Sequence, residues 1–594
     1  VKARQFLTFD SNRKKLAEAE GLMVPVGWAA RGCQLDQTAS LVTVDIGPIR
    51  WIDGFLNSFL VEKERDFGQP PETTFFAMSL TCVYSGAVHG VNAVPVEVEV
   101  NASDVGKVDF KLVGLPDAAV RESIDRVITA VKNSGLRWPS KLITINLAPA
   151  DLRKEGPSFD LPIAIGMVSL AQEQNGALTD GALKKCAMAG ELALDGRVRP
   201  IKGILPLTLQ AKQQGLRAIF VPKENAVEAS IVEGIYVYGI ESLRDAYGLL
   251  AGESHIKPEK LDREAFFRAK QHYPIDFNEV KGQAHAKRAL EVAMAGGHNI
   301  LMLGSPGTGK SMLAKRLATI LPAMTEEEAI ETTKIHSVAG LVDGKNSFLA
   351  TRPFRSPHHT ISDVGLLGGS SLPTPGEVSL AHNGILFLDE LPEFRRSTLE
   401  VLRQPLEDGQ VTISRAAGKF TFPSRFSLVA AMNPCPCGYL GDPSRECRCS
   451  PNQIEKYRQR ISGPLLDRID LHVDVPAVDY RELRTENGGE SSAVIRERVE
   501  EARQIQLARF VSHPGVLCNS DMGSRLVSEF CALDARSERT LEQAMETLHF
   551  SARAYDRILK VARTLADLEG ERDIREVQVL EAIQYRTLDR NLWV

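Results

Sequence analysis

The sequence predicts a mixed α/β protein: two α/β units in series, followed by a helical carboxy-terminal portion. Three observations predict it. Strand-like alternation and helix-like spacing interleave from Val94 to about residue 248. A glycine-rich loop lies between an apolar strand and a helix at Gly304–Ser311. From about residue 490 the pattern is charged, helix-periodic and poor in strand signals.

The 594 residues correspond to about four structural units on a prior of ~150 residues each, so no staples are needed to build a core. Hydrophobic residues at 43% and charged residues at 25% are ordinary for a globular protein. The net charge of −5 excludes a histone-like polycation and confines any nucleic-acid site to a local basic patch. No run approaches the ~18 apolar residues of a membrane span, so no membrane partner and a cytoplasmic location are expected. Nine cysteines are too few for a disulfide scaffold and favour reduced thiols or a metal site.

Residues 1–77 hold Trp28 and Trp51 but no sustained period. They read as an over-extended start before Met78, the alternative being an amino-terminal appendage. The strand Val94–Val100 alternates, and Val120, Ile124, Val127, Ile128 and Val131 then fall at helical spacing until Asn133-Ser134-Gly135 stops them. Leu142–Leu147 is a further strand. The expected boundaries are 78–250 for the first α/β unit, 251–274 for a linker closing on Tyr273-Pro274, 275–480 for the second unit and 481–594 for the helical portion.

Gly304-Ser305-Pro306-Gly307-Thr308-Gly309-Lys310-Ser311 fits the phosphate-binding pattern G-x-x-x-x-G-K-[ST]. Bare glycines let backbone N–H groups wrap phosphates, after a strand Asn299–Leu303 and before a helix Met312–Ile320. Lys310 is expected to reach the β- and γ-phosphates of ATP, and Ser311 to ligate Mg²⁺. A second apolar strand, Ile385–Leu388, runs into Asp389-Glu390. Expected beside the P-loop, it places Asp389 to hold Mg²⁺ and Glu390 to polarise the attacking water. A third, Leu428–Met432, ends at Asn433, whose amide either orients water or merely forms a turn.

These motifs in this order resemble the AAA+ ATPases. The segments Phe277–Ser311, Arg352–Thr360 and Gly376–Gly384 resemble the magnesium-chelatase-related branch, and nearly everything after Met78 resembles the YifB/ComM family. The resemblance implies sensor-1 for Asn433, an arginine finger for Arg468 and the sensor-2 arginine of a helical lid for Arg553. A finger acting in trans implies a ring, most often a homo-hexamer, because a planar, permanently charged fork stabilises charge on the transferred phosphoryl group.

Between the Asp389 and Asn433 strands, Gln410–Pro423 alternates on both sides of Ala416-Ala417-Gly418 and reads as a β-hairpin. In the related branch such a hairpin projects into the ring pore, which puts Arg415 and Lys419 where single-stranded or branched DNA passes, unless they are simply solvated. Residues 336–380 resemble the helix-2 insertion of that branch. His358 and His359, adjacent in sequence, are expected to point apart and serve packing. Cys435, Cys437, Cys447 and Cys449 pair as C-x-C…C-x-C, either a structural Zn²⁺ site with spacing tighter than usual or four free thiols.

Lys154-Glu155-Gly156-Pro157-Ser158, with Gly190-Glu191-Leu192 and Gly196–Ile201, resembles the Lon protease domain. The expected architecture is therefore a Lon-like (S5 domain 2-like) α/β domain, an AAA+ P-loop α/β domain and a carboxy-terminal helical lid. Leu207 stands where the Lon pattern has its catalytic lysine, and Lys202 is five residues away. Leucine cannot take a serine proton, so proteolysis is disfavoured and Ser158 is expected to cap a helix or pack. The resemblance implies an ATPase and DNA helicase promoting branch migration in recombination or natural transformation. A chelatase-type remodeller of a protein partner is the alternative; that subunit family is expected to lack the Lon-like domain, which argues against it.

Overall fold

A computed structural model of the chain describes residues 80–103, 108–139, 141–172, 180–262, 265–266, 273–342, 347–369, 373–415, 418–442, 445–478 and 489–588. The expectation for residues 1–77 lies outside this set. All described residues belong to the unit Glu72–Val594.

The first α/β portion is a seven-stranded sheet. Its strands are β1 (Leu80–His89), β2 (Asn92–Ser103), β3 (Asp109–Val113), β4 (Leu142–Ala148), β5 (Cys186–Met188), β8 (Ala218–Pro222) and β9 (Tyr236–Ile240), in the order β3-β4-β2-β1-β5-β8-β9. A small ribbon, β6 (Glu191–Leu192) and β7 (Val198–Arg199), stands apart. The alternation read at Val94–Val100 buries Val96, Val98 and Val100 on one face of β2. The helix Asp160–Gln172 is apolar on every side and lies against this sheet; Gly166 allows the side chain of Val100 to approach. Residues 256–259 do not hang free as a linker: the Glu259 N–H donates to the Val237 carbonyl at 2.8 Å along the edge of β9.

The second portion is a five-stranded, all-parallel sheet built from β10 (Ile300–Leu303), β11 (Phe354–Arg355), β12 (Gly384–Leu388), β15 (Phe426–Met432) and β16 (Leu471–Asp474), in the order β11-β12-β15-β10-β16. β10 and β12 are buried along their whole length, as strands covered on both faces must be. One expectation is corrected here. The Asp389 strand, β12, is not beside the P-loop strand, because β15 lies between them. The helix after the P-loop spans Lys310–Arg316 and tightens to a 3₁₀ turn at Leu317–Thr319. The ribbon β13 (Gln410–Arg415) and β14 (Gly418–Pro423) is the hairpin read from alternation, with Val411, Ile413 and Phe422 buried.

The carboxy-terminal portion is helical, with helices Ser492–Arg509, Ala535–Leu548, Ala552–Leu568 and Glu576–Gln584 sharing one core with the helix Ala284–Gly296. No described helix is long and apolar enough to cross a membrane.

Buried contacts tie the portions together. Between the two α/β portions, Leu205, Ile231 and Val232 pack with Met324, Ala329 and Phe348, and the buried Glu228 carboxylate accepts from the Ser337 hydroxyl at 2.5 Å. Between the parallel sheet and the helices, Asp470 accepts from His298 Nδ1 at 3.3 Å and the Asn299 N–H at 3.2 Å, and pairs with Arg557. Burial alone pushes the Asp470 carboxyl up, but Arg557, then His298 and Lys560, outweigh it and hold it well below the usual carboxylate range. Its stabilisation is therefore complete above the unfolded value of ~3.9 and disappears as pH falls below it toward the folded value. Asp470→Ala strands buried cations and is expected to cost about 3–5 kcal/mol near neutrality, with a smaller gap between variant and parent at acid pH; calorimetric melting across pH checks this.

Candidate nucleotide site

The loop after β10 is shaped by three glycines. A Cβ on Gly304 would come within 2.3 Å of the Val475 carbonyl, and Gly307 and Gly309 adopt φ of +84° and +88°. The Lys310 ammonium, nearly buried, donates to the carbonyls of Gly304 at 2.7 Å and Ser305 at 3.0 Å and to Asn433 Oδ1 at 3.2 Å. Burial lowers its pKa against the opposing pull of Asp389, Asp474 and Glu390. A phosphate oxygen offers that ammonium a charged acceptor in place of neutral ones.

The Ser311 hydroxyl donates to Asp389 Oδ2 at 2.6 Å, across the end of β15. The hydroxyl and carboxylate are thus adjacent oxygen donors of the kind Mg²⁺ takes when it also binds phosphates. Glu390 follows in the left-handed region at φ +53°, its N–H donating to Asp389 Oδ1 at 3.0 Å while its side chain is more than half exposed. The structure thus gathers Lys310, Ser311, Asp389, Glu390 and Asn433 at the carboxyl ends of β10, β12 and β15.

The two arginines have other partners. Arg468 is buried, pairs with Glu407 and has an unpartnered Nε. Arg553 is two-thirds exposed and lies 3.3 Å from Asp467 Oδ2. Arg415 and Lys419 are exposed near the tip of the ribbon. Arg415 pairs with Gly418 and Lys419 with Ser414, so the two cations sit on opposite faces. The turn residues Ala416 and Ala417 lie outside the described set.

The histidine expectation is also corrected. The rings of His358 and His359 face each other with centroids 4.1 Å apart, and His359 Nδ1 lies 3.4 Å from Glu390 Oε2. His359 meets Phe394 edge-on. Both histidines line a cleft with Ser356, Pro357, Asp389 and Glu390. Gln283 is another residue sequence reasoning passed over: its Nε2 donates to the carbonyls of Thr308 at 2.6 Å and Pro476 at 3.1 Å, tying the P-loop to the strand end beyond β16.

In the first portion, Leu207 is buried among Ala187, Ala189, Ile204 and Ala211. Lys202 lies across Gly340. Ser158 sits within the 3₁₀ turn Pro157–Phe159 rather than at a cap, and its carbonyl accepts the Gly190 N–H at 2.9 Å.

Beside the nucleotide site, the Sγ atoms of Cys435, Cys437, Cys447 and Cys449 all lie within 4.8 Å of one another. Three of the separations are 3.4, 3.7 and 3.6 Å. A disulfide needs about 2.05 Å. A tetrahedron of thiolates at about 2.3 Å from zinc has edges of about 3.8 Å, so these residues fit Zn²⁺ and leave no open coordination position for catalysis. The Tyr439 N–H, then that of Arg448, holds the Cys437 thiol down at about 6, while such N–H groups at Cys447 and Cys449 are outweighed by burial and the neighbouring sulfurs, which push those thiols up.

A parallel sheet with the P-loop strand flanked by the Asn433 strand, and an acidic strand one place further, defines a P-loop protein of the AAA+ class. Within that class, the chain belongs to the ComM/YifB family of magnesium-chelatase-like AAA+ proteins. Residues 276–483 match the family described as magnesium chelatase, subunit ChlI, and residues 489–586 match its carboxy-terminal family. The chain is 46% identical over 520 residues to "Competence protein ComM" of Haemophilus influenzae, covering 87% of this chain and 99% of that protein. It is 43% identical over 517 residues to "Uncharacterized protein YifB" of Escherichia coli, covering 87% and 98%. It is also 27% identical over 177 residues to "Lon protease 2" of Bacillus subtilis, covering 27% of this chain and 31% of that protein. Residues 96–225 match a family described as subunit ChlI of Mg-chelatase, which removes the sequence argument that the chelatase subunit lacks this segment.

The thiolate geometry makes a direct prediction. Protein purified under reducing conditions is expected to carry a single zinc ion per chain by elemental analysis, and Cys435→Ser to carry none; metal-free parent protein would leave four free thiols.

Proposed function

We propose that the chain is an ATP-driven, ring-forming DNA motor, a hexameric helicase that promotes branch migration during recombination or natural transformation. The observation that carries this reading is the convergence of Lys310, Ser311, Asp389, Glu390 and Asn433 at one sheet edge, with a cation-tipped ribbon spliced between the Asp389 and Asn433 strands. Lys310 and the P-loop amides hold the β- and γ-phosphates, Ser311 and Asp389 hold Mg²⁺, and Glu390 takes the proton of the attacking water. Mg²⁺ held by Ser311 and Asp389 would supply charge neutralisation to the phosphates. Arg468 of a neighbouring protomer and Arg553 of the helical lid are the cations that stabilise the transferred phosphoryl group. Arg415 and Lys419 grip a nucleic-acid backbone by charge, without reading bases. The name of the Haemophilus relative, a competence protein, supports a role with incoming DNA.

A remodeller that acts on a protein partner is the second reading, favoured by the chelatase subunit descriptions of the matched families. ATPase rates with forked DNA, linear DNA or casein separate them, since stimulation by forked DNA supports the motor and indifference to every polynucleotide overturns it. Casein stimulation with peptide release would instead revive the protease.

In the ATPase itself, Lys310→Ala is expected to abolish nucleotide binding. Glu390→Gln is expected to bind ATP normally while turnover falls about 10²–10⁴-fold. His359 is a positioning residue for Glu390: His359→Ala should leave ATP affinity intact and lower turnover about 10- to 100-fold, with partial recovery in His359→Asn. Unchanged turnover in Glu390→Gln would remove that glutamate from the chemistry.

Arg415→Ala combined with Lys419→Ala is expected to keep the DNA-free ATPase rate and lose most DNA stimulation. Binding should also lose salt dependence, the slope of log K against log salt falling by roughly 2 if both cations neutralise phosphates.

A further inference from the structure

The four-cysteine centre stands against the nucleotide site at two points. Its first ligand, Cys435, is fully buried two residues after Asn433, whose amide holds Lys310. Its loop then turns through Gly438, whose N–H donates to the Cys435 carbonyl at 3.0 Å. Gly438 lies flat on Pro306 of the P-loop: a Cβ there would come within 2.5 Å of Pro306 Cδ, and its φ of +85° is one that side chains resist. The last ligand, Cys449, leads straight into Ser450, which caps the helix Pro451–Arg458. That helix places Tyr457 in the core beneath the site, and just beyond it Arg460 reaches the Pro392 carbonyl at 3.1 Å, two residues past Glu390.

We propose that the thiolate centre is a metal-dependent strut of the nucleotide site, so that metal held by Cys435, Cys437, Cys447 and Cys449 sets how tightly the P-loop and Asn433 grip ATP. This rests on the ATP-site reading above. The physical reason is loop closure. Without a metal, the four thiols lose the bonds that close the loop on itself, and both Asn433 and Gly438 gain freedom. With a tetrahedral ion, Cys435 and Cys437 are fixed against Cys447 and Cys449, Pro306 is backed by Gly438, and the amide of Asn433 stays aimed at Lys310. The centre performs no chemistry on the nucleotide; it fixes groups that touch it.

The test uses the full-length chain, with ATP affinity measured at equilibrium so that hydrolysis is not the readout. Wild-type protein is stripped with a chelator under reducing conditions and reloaded with Zn²⁺ or Co²⁺. Stripping is expected to weaken ATP binding roughly ten-fold and reloading to restore it. In the Co²⁺ form, whose absorption reports tetrahedral thiolate ligation, addition of ATP is expected to shift the ligand-field bands. Gly438→Val keeps all four ligands and is expected to retain metal while losing affinity to a similar degree. That variant separates loss of the strut from loss of the fold, which Cys449→Ser alone does not. Equal affinity with and without metal, together with a Co²⁺ spectrum indifferent to ATP, overturns the proposal and leaves the ATP site standing. Wild-type, metal-loaded protein that binds no ATP overturns the ATP-site reading and this proposal with it.

Discussion

The structure depends on one buried ammonium. Lys310 has little access to water and finds its acceptors in two P-loop carbonyls and the Asn433 amide. Burying an amine without such partners costs several kcal/mol, so the loop, the sheet edge and the end of β15 must hold their places together. The parallel sheet makes this possible because three strands end at one level, each delivering one or two polar residues past an apolar run. Asp389 and Asp474 lie near the same charge, and burial lowers the pKa of Lys310 less than it otherwise would. An anion entering this loop meets a cation already oriented toward it.

β15 is the strand through which the parts communicate. It sits between the P-loop strand and the Asp389 strand, it begins where the hairpin ends, and it finishes at Asn433 and the cysteine loop. The ribbon β13–β14 is therefore anchored on a strand of the site at one end and follows the Asp389-Glu390 strand at the other. The first α/β portion rests on the same ribbon, where His89 at the β1–β2 turn packs on Phe420 with centroids 4.6 Å apart, and on the helix Glu326–Ala339, where Asn92 accepts from Lys334 at 2.7 Å. Any displacement of the ribbon is felt by that sheet as well as by the nucleotide site.

Much of this was legible because the signals are local. The P-loop, the Asp389-Glu390 strand end, the hairpin alternation and the paired cysteines each occupy a short window whose residue types admit few structures. What escaped is tertiary. The strand order is set by crossovers, so the place of β15 between β10 and β12 had no trace in the sequence. His358 and His359 were expected to diverge, as neighbours on a regular element do. They instead lie in a turn after β11, closed by the Ile361 N–H on the His358 carbonyl, with both rings together and one of them at Glu390. Gln283 clamps the P-loop to Pro476, a residue 193 positions away. The cysteine spacing, tighter than usual for zinc, left a zinc site and four free thiols both open; spacing ignores the turn at Gly438, and the folded loop brings the four Sγ atoms within 4.8 Å of one another.

Arg468 shows how assembly and chemistry constrain each other in the proposed ring. In a single protomer its guanidinium is nearly buried, paired with Glu407 and left with an unpartnered Nε. Glu407 itself is well exposed, so the pair lies just under the surface. A guanidinium freed into water would gain hydration but lose both Glu407 and the Pro464 carbonyl. A guanidinium transferred to a neighbour's triphosphate exchanges one carboxylate for a denser negative charge and satisfies Nε as well. In the ring we propose, a protomer interface would offer Arg468 a triphosphate in place of Glu407.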